Sequence, residues 1–239
     1  MKLTVVGCSP AWPNPGGAQS GYLVEGSGRL LLDCGPGVLA RLSEREPWPL
    51  VDAIAITHFH LDHWGDLVPW AFGASFGAGR DAKPPELWLP PGGGATLVAL
   101  GRKLSFGAPL QSSFAIREYA DGVPFQAGGF EVTPVGLTHY QEETFGLRVT
   151  DGGATLAYSG DTAPTPRLTE LAHDADVFLC EASLADPEPP DDRGHMSADE
   201  AVAAFEASGA KRLVVIHRPD ELPLTGGVER AYDGLELYL

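Results

Sequence analysis

Residues 56–65 read ITHFHLDHWG, and no other stretch of the 239-residue chain restricts the fold as strongly. Three histidines and one aspartate crowd into six positions directly behind the apolar run AIAI (53–56). Burying that many titratable groups without partners is costly, so the fold has to end a strand in a pocket that satisfies them. A metal site does this. On an extended segment leaving the strand, His58, His60 and Asp62 share parity and project to one side, while His63 begins a new turn and points elsewhere. Four ligand-type residues so spaced can divide between two adjacent ions.

Short β-rich runs bounded by Gly, Pro or Asp fill the first half: KLTVVG (2–7), GYLVE (21–25), RLLLD (29–33) and AIAI (53–56), with a helix expected over 37–44. A short helix is expected after His63, and the Gly/Pro-rich stretch GASFGAGRDAKPP (73–85) reads as a loop near the opening of the site. Strands are expected again at ELWL (86–89) and SFAIREY (113–119). The second half repeats the pattern with GFEVTPVGL (129–137), TFGLRVT (144–150), ATLAYS (154–159), a helix over 166–173 and DVFLC (176–180). Ser197 and Glu200 form an S-x-x-E capping box that opens an Ala-rich helix to about Ser208, before the strand RLVVI (212–216). The segment DPEPPDDRG (186–194) reads as a solvated acidic loop. Two β-then-α halves without a clear linker predict one layered α/β domain over 1–239.

Sixteen basic residues against thirty-two acidic ones give a net charge of −16, the wrong sign for a sequence-independent grip on nucleic-acid phosphates or anionic lipid. Any anion the protein handles must therefore meet a local positive site. Cys8, Cys34 and Cys180 are odd in number and lack CxxC spacing, which predicts a reducing compartment and no disulfide framework. MKLTVVGCSP is apolar for too few residues to serve as an export signal, and no run approaches the roughly 20 apolar residues of a membrane span. A cytoplasmic location is the expectation.

The H-x-H-x-D-H pattern at His58, His60, Asp62 and His63 resembles that of the metallo-β-lactamase-fold hydrolases, and further stations match in order. His139, after strand 129–137, stands at the third-station histidine; Asp161 in YSGDT stands at the bridging aspartate; His217 in VVIHRP stands at the last histidine. The resemblance thus spans nearly the whole chain and implies an α/β fold, the αββα four-layer sandwich. It places His58, His60 and His139 on one metal, Asp62, His63 and His217 on the other, and Asp161 between them. Imidazoles and carboxylates without thiolate suit Zn²⁺ first, with Mn²⁺ or Fe²⁺ fitting where availability decides. Two divalent ions and two aspartates leave the centre positive, able to hold a small anionic substrate for metal-assisted hydrolysis. Asp33 in LLLDCGPG resembles the family's first-motif aspartate, which orients a ligand imidazole or water; a turn-forming Asp before Gly35 and Gly37 is the competing reading.

CEAS (180–183) and GHMS (194–197) resemble the Glu-Ala and His-Ser/Thr motifs of the ribonuclease Z-like, phosphodiesterase branch. By that similarity His195 reaches the phosphoryl group or protonates the leaving oxygen and Glu181 orients His195, so the expected catalytic set is Asp62, His195 and Glu181. Only 21 residues separate His139 from Asp161, too few for the long Gly-rich arm that ribonuclease Z uses to clasp tRNA. The net charge and the acidic stretch beside His195 also disfavour a long polyanion, and with it tRNA 3′-processing. The runs 144–162 and 176–183 are closer to short bacterial members described as cyclic-nucleotide phosphodiesterase-like, so a small phosphodiester such as a cyclic nucleotide is the expected substrate. Ester, thioester or lactone hydrolysis at the same metals is the alternative; a metal-binding sensor without turnover is the non-enzyme alternative. Related enzymes often dimerise, which makes a homodimer an arrangement the resemblance allows, although no interface is readable. Asp66 reads as a first-turn helix acid rather than a ligand, Cys180 as a small core residue, and His173 as a late helical residue favourable to the dipole.

Overall fold

The computed structural model describes residues 1–189, 191–224 and 227–239. Its first half runs β1 (Lys2–Gly7), β2 (Gly21–Glu25), β3 (Arg29–Leu32), α1 (Val38–Ser43), β4 (Ala53–Ala55), α2 (Leu61–Trp64), α3 (Leu67–Phe76), β5 (Glu86–Leu89), α4 (Gly93–Lys103), α5 (Gly107–Ser112) and β6 (Ala115–Glu118). The second half runs β7 (Phe125–Ala127), β8 (Phe130–Gly136), β9 (Phe145–Asp151), β10 (Ala154–Tyr158), α6 (Arg167–Leu171), β11 (Val177–Glu181), α7 (Ala198–Ser208), β12 (Leu213–Ile216), β13 (Glu229–Arg230) and β14 (Glu236–Tyr238). The strands form two seven-stranded sheets, in the orders β14-β1-β2-β3-β4-β5-β6 and β13-β12-β11-β10-β9-β8-β7. In both, an antiparallel meander gives way to parallel strands, from β3 to β6 in one sheet and from β10 to β13 in the other. The last strand, β14, crosses over to pair with β1 of the first sheet.

Three apolar cores separate four layers, as an αββα sandwich requires. Between the sheets lie Leu3, Tyr22, Leu30, Leu32, Phe130, Leu147, Leu156, Leu179 and Ile216. The opposite faces of the same strands point outward to helices: Leu31, Ile54 and Leu87 pack with Leu67, Trp70, Leu97 and Leu110 on one side, and Phe178, Cys180 and Val215 pack with Leu168, Leu171 and Ala201 on the other. Strands buried on both faces read as continuous apolar runs, which is why RLLL, AIA, VFLC and LVVI are legible by eye.

Several expectations need correction. The stretch 73–85 is not one loop beside the site: α3 continues to Phe76, and Gly79, Arg80 and residues 82–85 line a cavity with Trp48 and Trp70 and with none of the candidate ligands. Covering the Trp48 indole explains this placement. Asp66 is in neither ligand group and stands at the N-cap position of α3 rather than inside its first turn; its Oδ2 accepts from the Leu39 N–H at 2.8 Å, closing the open N-terminus of α1. The helix expected over 166–173 ends at Leu171, because Asp174 turns the chain left-handed (φ 49°), and His173 stands 70% exposed beside Asp174. Within 186–194, Pro190 lies outside the described residues, and Glu188 is engaged by backbone N–H groups rather than freely solvated. The three cysteines are free and buried, Cys180 completely so. No helix among the described residues is long and apolar enough to cross a membrane.

Candidate metal centre

Antiparallel pairing makes β8 run in the direction of β10, and β1 in the direction of β3, so strands of both sheets deliver their C-terminal ends to one edge of the sandwich. Loops leaving such ends are where open α/β layers put sites. Asp33 follows β3, residues 57–63 follow β4, His139 follows β8, Asp161 follows β10, and His217 follows β12. The edge is closed by backbone bonds between the loops: His217 N–H donates to Cys8 O at 3.0 Å, and Cys34 N–H to His63 O at 2.7 Å. Gly35 is required there, since a Cβ on it would lie 2.0 Å from the Asp62 carbonyl oxygen.

The seven candidate ligands converge into two groups with Asp161 common to both: His58, His60, His139 and Asp161, and Asp62, His63, His217 and Asp161. The parity reading holds for His58 and His60 but not for Asp62. α2 begins at Leu61, with His60 as its extended N-cap residue, so Asp62 is already helical and turns with His63 toward the second group. In the first group His139 Nε2 lies 2.8 Å from His60 Nδ1. In the second, His217 Nε2 lies 3.0 Å and His63 Nε2 3.4 Å from Asp62 Oδ2. Asp161 reaches His63 Nε2 at 3.2 Å with Oδ1, and His217 Nε2 at 3.5 Å and His58 Nε2 at 3.9 Å with Oδ2.

Outer hydrogen bonds dictate which nitrogen of each imidazole faces inward. His63 Nδ1–H donates to Asp33 Oδ2 at 2.6 Å, and His139 Nδ1–H to Gly194 O at 2.6 Å. Thr57 Oγ1 donates to Asp33 Oδ2 at 2.9 Å and accepts from His58 Nδ1–H at 3.1 Å. Ser183 Oγ donates to Glu181 Oε2 at 2.7 Å and accepts from His217 Nδ1–H at 2.9 Å. Each of these four rings therefore presents an Nε2 lone pair to the centre. Asp33 also accepts from the Thr57 N–H at 2.8 Å and the Tyr158 hydroxyl at 2.5 Å, so it orients ligand imidazoles rather than merely forming a turn. Thr57, Tyr158 and Ser183 carry no ligand chemistry themselves; the signals that could have found them are Thr57 between the strand and His58, and Ser183 inside the quoted CEAS run.

His58 Nε2, His63 Nε2 and Asp161 Oδ1 are buried without a hydrogen-bond partner among the described residues, which is what a cation between them would satisfy. The charge balance points the same way. Burial pushes the Asp161 carboxyl up, yet His217, His63 and His58 hold it well below the usual range, and Asp62 is lowered likewise against its burial by His217 and His63. Burial lowers His58 and His139, which favours the neutral imidazole a metal needs. The donor set thus fits a pair of divalent ions.

Beside this centre stands His195, which belongs to neither four-membered group. Its ring stacks on His217 with centroids 5.8 Å apart, and its Nδ1–H donates to Glu181 Oε1 at 2.8 Å. Burial works against its charge, but Glu181 outweighs it and raises the imidazole to about 9. Glu181 itself is fully buried, and its other oxygen holds Ser183. Both motif residues singled out in the sequence therefore meet, 14 positions apart in the chain.

Residues 28–218 match the family model described as "Beta-lactamase superfamily domain". Rv1339 of Mycobacterium tuberculosis is 35% identical over 227 residues, covering 92% of this chain and 81% of its own. The probable metallo-hydrolase YhfI of Bacillus subtilis is 30% identical over 222 residues, covering 92% of this chain and 87% of its own. Its crystal structure superposes with a TM-score of 0.83 over 99% of this chain and 98% of that one, at 26% identity. A ribonuclease Z of Mycobacterium marinum is 29% identical over 241 residues, covering 91% and 86% of the two chains. The chain belongs to the β-lactamase superfamily, as a metallo-hydrolase of its ribonuclease Z-like branch.

Proposed function

We propose that this metallo-hydrolase is a phosphodiesterase acting on a small phosphodiester, a cyclic nucleotide in particular, with His58, His60, His139 and Asp161 holding one divalent ion and Asp62, His63, His217 and Asp161 a second, zinc in both. When bound, such a pair supplies positive charge for an anionic substrate and activates water for attack. The chain's own residues do the rest. Asp33, Thr57, Gly194 and Ser183 fix the ring orientations, so the ligands need not reorganise. His195 holds a proton at Nε2 for the departing oxygen, while Glu181 accepts its Nδ1–H and fixes the ring.

The observation that carries the proposal is this non-ligand imidazole, clamped by a buried carboxylate beside the candidate ligands. Thioester hydrolysis releases a thiolate, which has little use for such a donor, whereas the alkoxide leaving a cyclic nucleotide needs one. The short span between His139 and Asp161 and the net charge of −16 favour a small substrate over tRNA.

The test is a panel of cyclic nucleotide, bis-p-nitrophenyl phosphate, thioester, lactone and RNA, offered to the zinc- or manganese-loaded protein. Turnover of the cyclic nucleotide is expected, and His195→Ala should lower it by about 10²-fold or more at unchanged metal content. Thioester or lactone turnover with the cyclic nucleotide untouched would replace this reading.

A further inference from the structure

Tyr140 follows His139 directly, and the chain turns left-handed at it, with φ 49°. The turn sends its backbone N–H to Arg193 O at 3.0 Å and lays its ring over Gly194. The fit is close: a Cβ on Gly194 would lie 2.1 Å from Tyr140 Cε2. The phenol hydroxyl donates to Glu188 Oε1. The other oxygen of that carboxylate accepts from the Gly194 N–H at 2.8 Å and the His195 N–H at 3.1 Å. One ring and one carboxylate thus fix both backbone units that lead into His195. The Tyr140 ring also stands edge-on to the His195 imidazole, with centroids 5.7 Å apart.

We infer that Tyr140 is a positioning residue for His195: through its hydroxyl on Glu188 and its ring on Gly194 it sets the backbone from which the imidazole reaches the leaving oxygen. The inference rests on the reading of His195 as proton donor. Glu181 fixes the His195 ring from inside the protein, whereas Tyr140, 39% exposed, fixes its backbone from the rim. A donor held from both sides keeps the geometry on which its contribution depends. Tyr140 and Glu188 lie outside the H-x-H-x-D-H, CEAS and GHMS runs, and only the fold brings them to Gly194 and His195.

The experiment compares two substrates in the metal-loaded protein. The leaving alkoxide of a cyclic nucleotide needs a proton, whereas p-nitrophenolate departs without one. Tyr140→Phe, which removes only the hydroxyl, should lower kcat on a 3′,5′-cyclic nucleotide by about tenfold. It should leave KM and turnover of bis-p-nitrophenyl phosphate within about twofold. Glu188→Ala should show the same selective loss, and Tyr140→Phe combined with His195→Ala should be no worse than His195→Ala alone. Hydrogen exchange at the Gly194 and His195 amides should accelerate in Tyr140→Phe and Glu188→Ala while metal content stays constant. Equal loss on both substrates together with lost metal would show a merely structural role and overturn the inference. So would unchanged kinetics and exchange. If His195→Ala shows leaving-group dependence and Tyr140→Phe does not, the Tyr140 inference alone falls. If His195→Ala shows none, the assignment of His195 falls and takes this inference with it.

Discussion

Asp33 is fully buried in a left-handed conformation (φ 56°), and its carboxylate accepts from Thr57 N–H, Thr57 Oγ1, Tyr158 OH and His63 Nδ1. Aspartate is among the few residues that tolerate this backbone, and it is the acceptor all four donors need. Asp33→Ala strands those donors in a dry site. It should cost about 1–3 kcal/mol in urea unfolding, and zinc affinity by chelator competition should drop about 10–100-fold because His63 loses its tautomer control. Ser183→Ala removes the hydroxyl between His217 and Glu181 and should weaken zinc binding within the same range, with Ser183→Thr restoring it. The aspartate was legible as a motif member because it sits in LLLDCGPG. Tyr158 was not, since its partner lies 125 positions earlier and its own surroundings are those of an ordinary core tyrosine.

At the scale of elements, the strands that bear the site were readable to within a residue or so: β3, β4 and β12 because two-sided burial leaves a continuous apolar run, and β8 because its exposed and buried residues alternate as on a half-buried strand. α7 was equally plain: Ser197 Oγ accepts from the Glu200 N–H while Glu200 accepts from the Ser197 N–H, as the S-x-x-E spacing predicts. Ser197→Ala should therefore cost about 1 kcal/mol, read as a shifted denaturation midpoint at constant slope. Helices α4 and α5 were not anticipated. α4 opens on Gly93 and Gly94, and α5 starts at Gly107 with Pro109 two positions on, a sequence that reads as loop until tertiary packing against β5 and β6 overrides propensity. The early start of α2 has larger consequences, because that single helical turn carries Asp62 to the second group of ligands, where the family resemblance places it and strand parity does not.

For the whole molecule, the account joins a surface of net charge −16 to a centre that concentrates positive charge when loaded. The surface repels an anionic substrate at long range and the centre attracts it only at contact. Raising ionic strength from about 0.01 to 0.15 M shrinks the Debye length from roughly 30 to 8 Å and should raise kcat/KM for a cyclic nucleotide. A protein that tracks a nucleic-acid backbone would show a fall instead. Loading should also stabilise the fold, since the cradle joins loops from both sheets: zinc at 100 times its Kd should add about 2.7 kcal/mol per site, reversed by a chelator in a thermal melt.

The most direct measurement is zinc stoichiometry by elemental analysis after equilibration with the metal and removal of excess. Two ions per chain are predicted, falling when Asp161, shared by both groups, is replaced by alanine. A chain that retains one ion or none, or an Asp161→Ala variant that keeps both, would contradict the account.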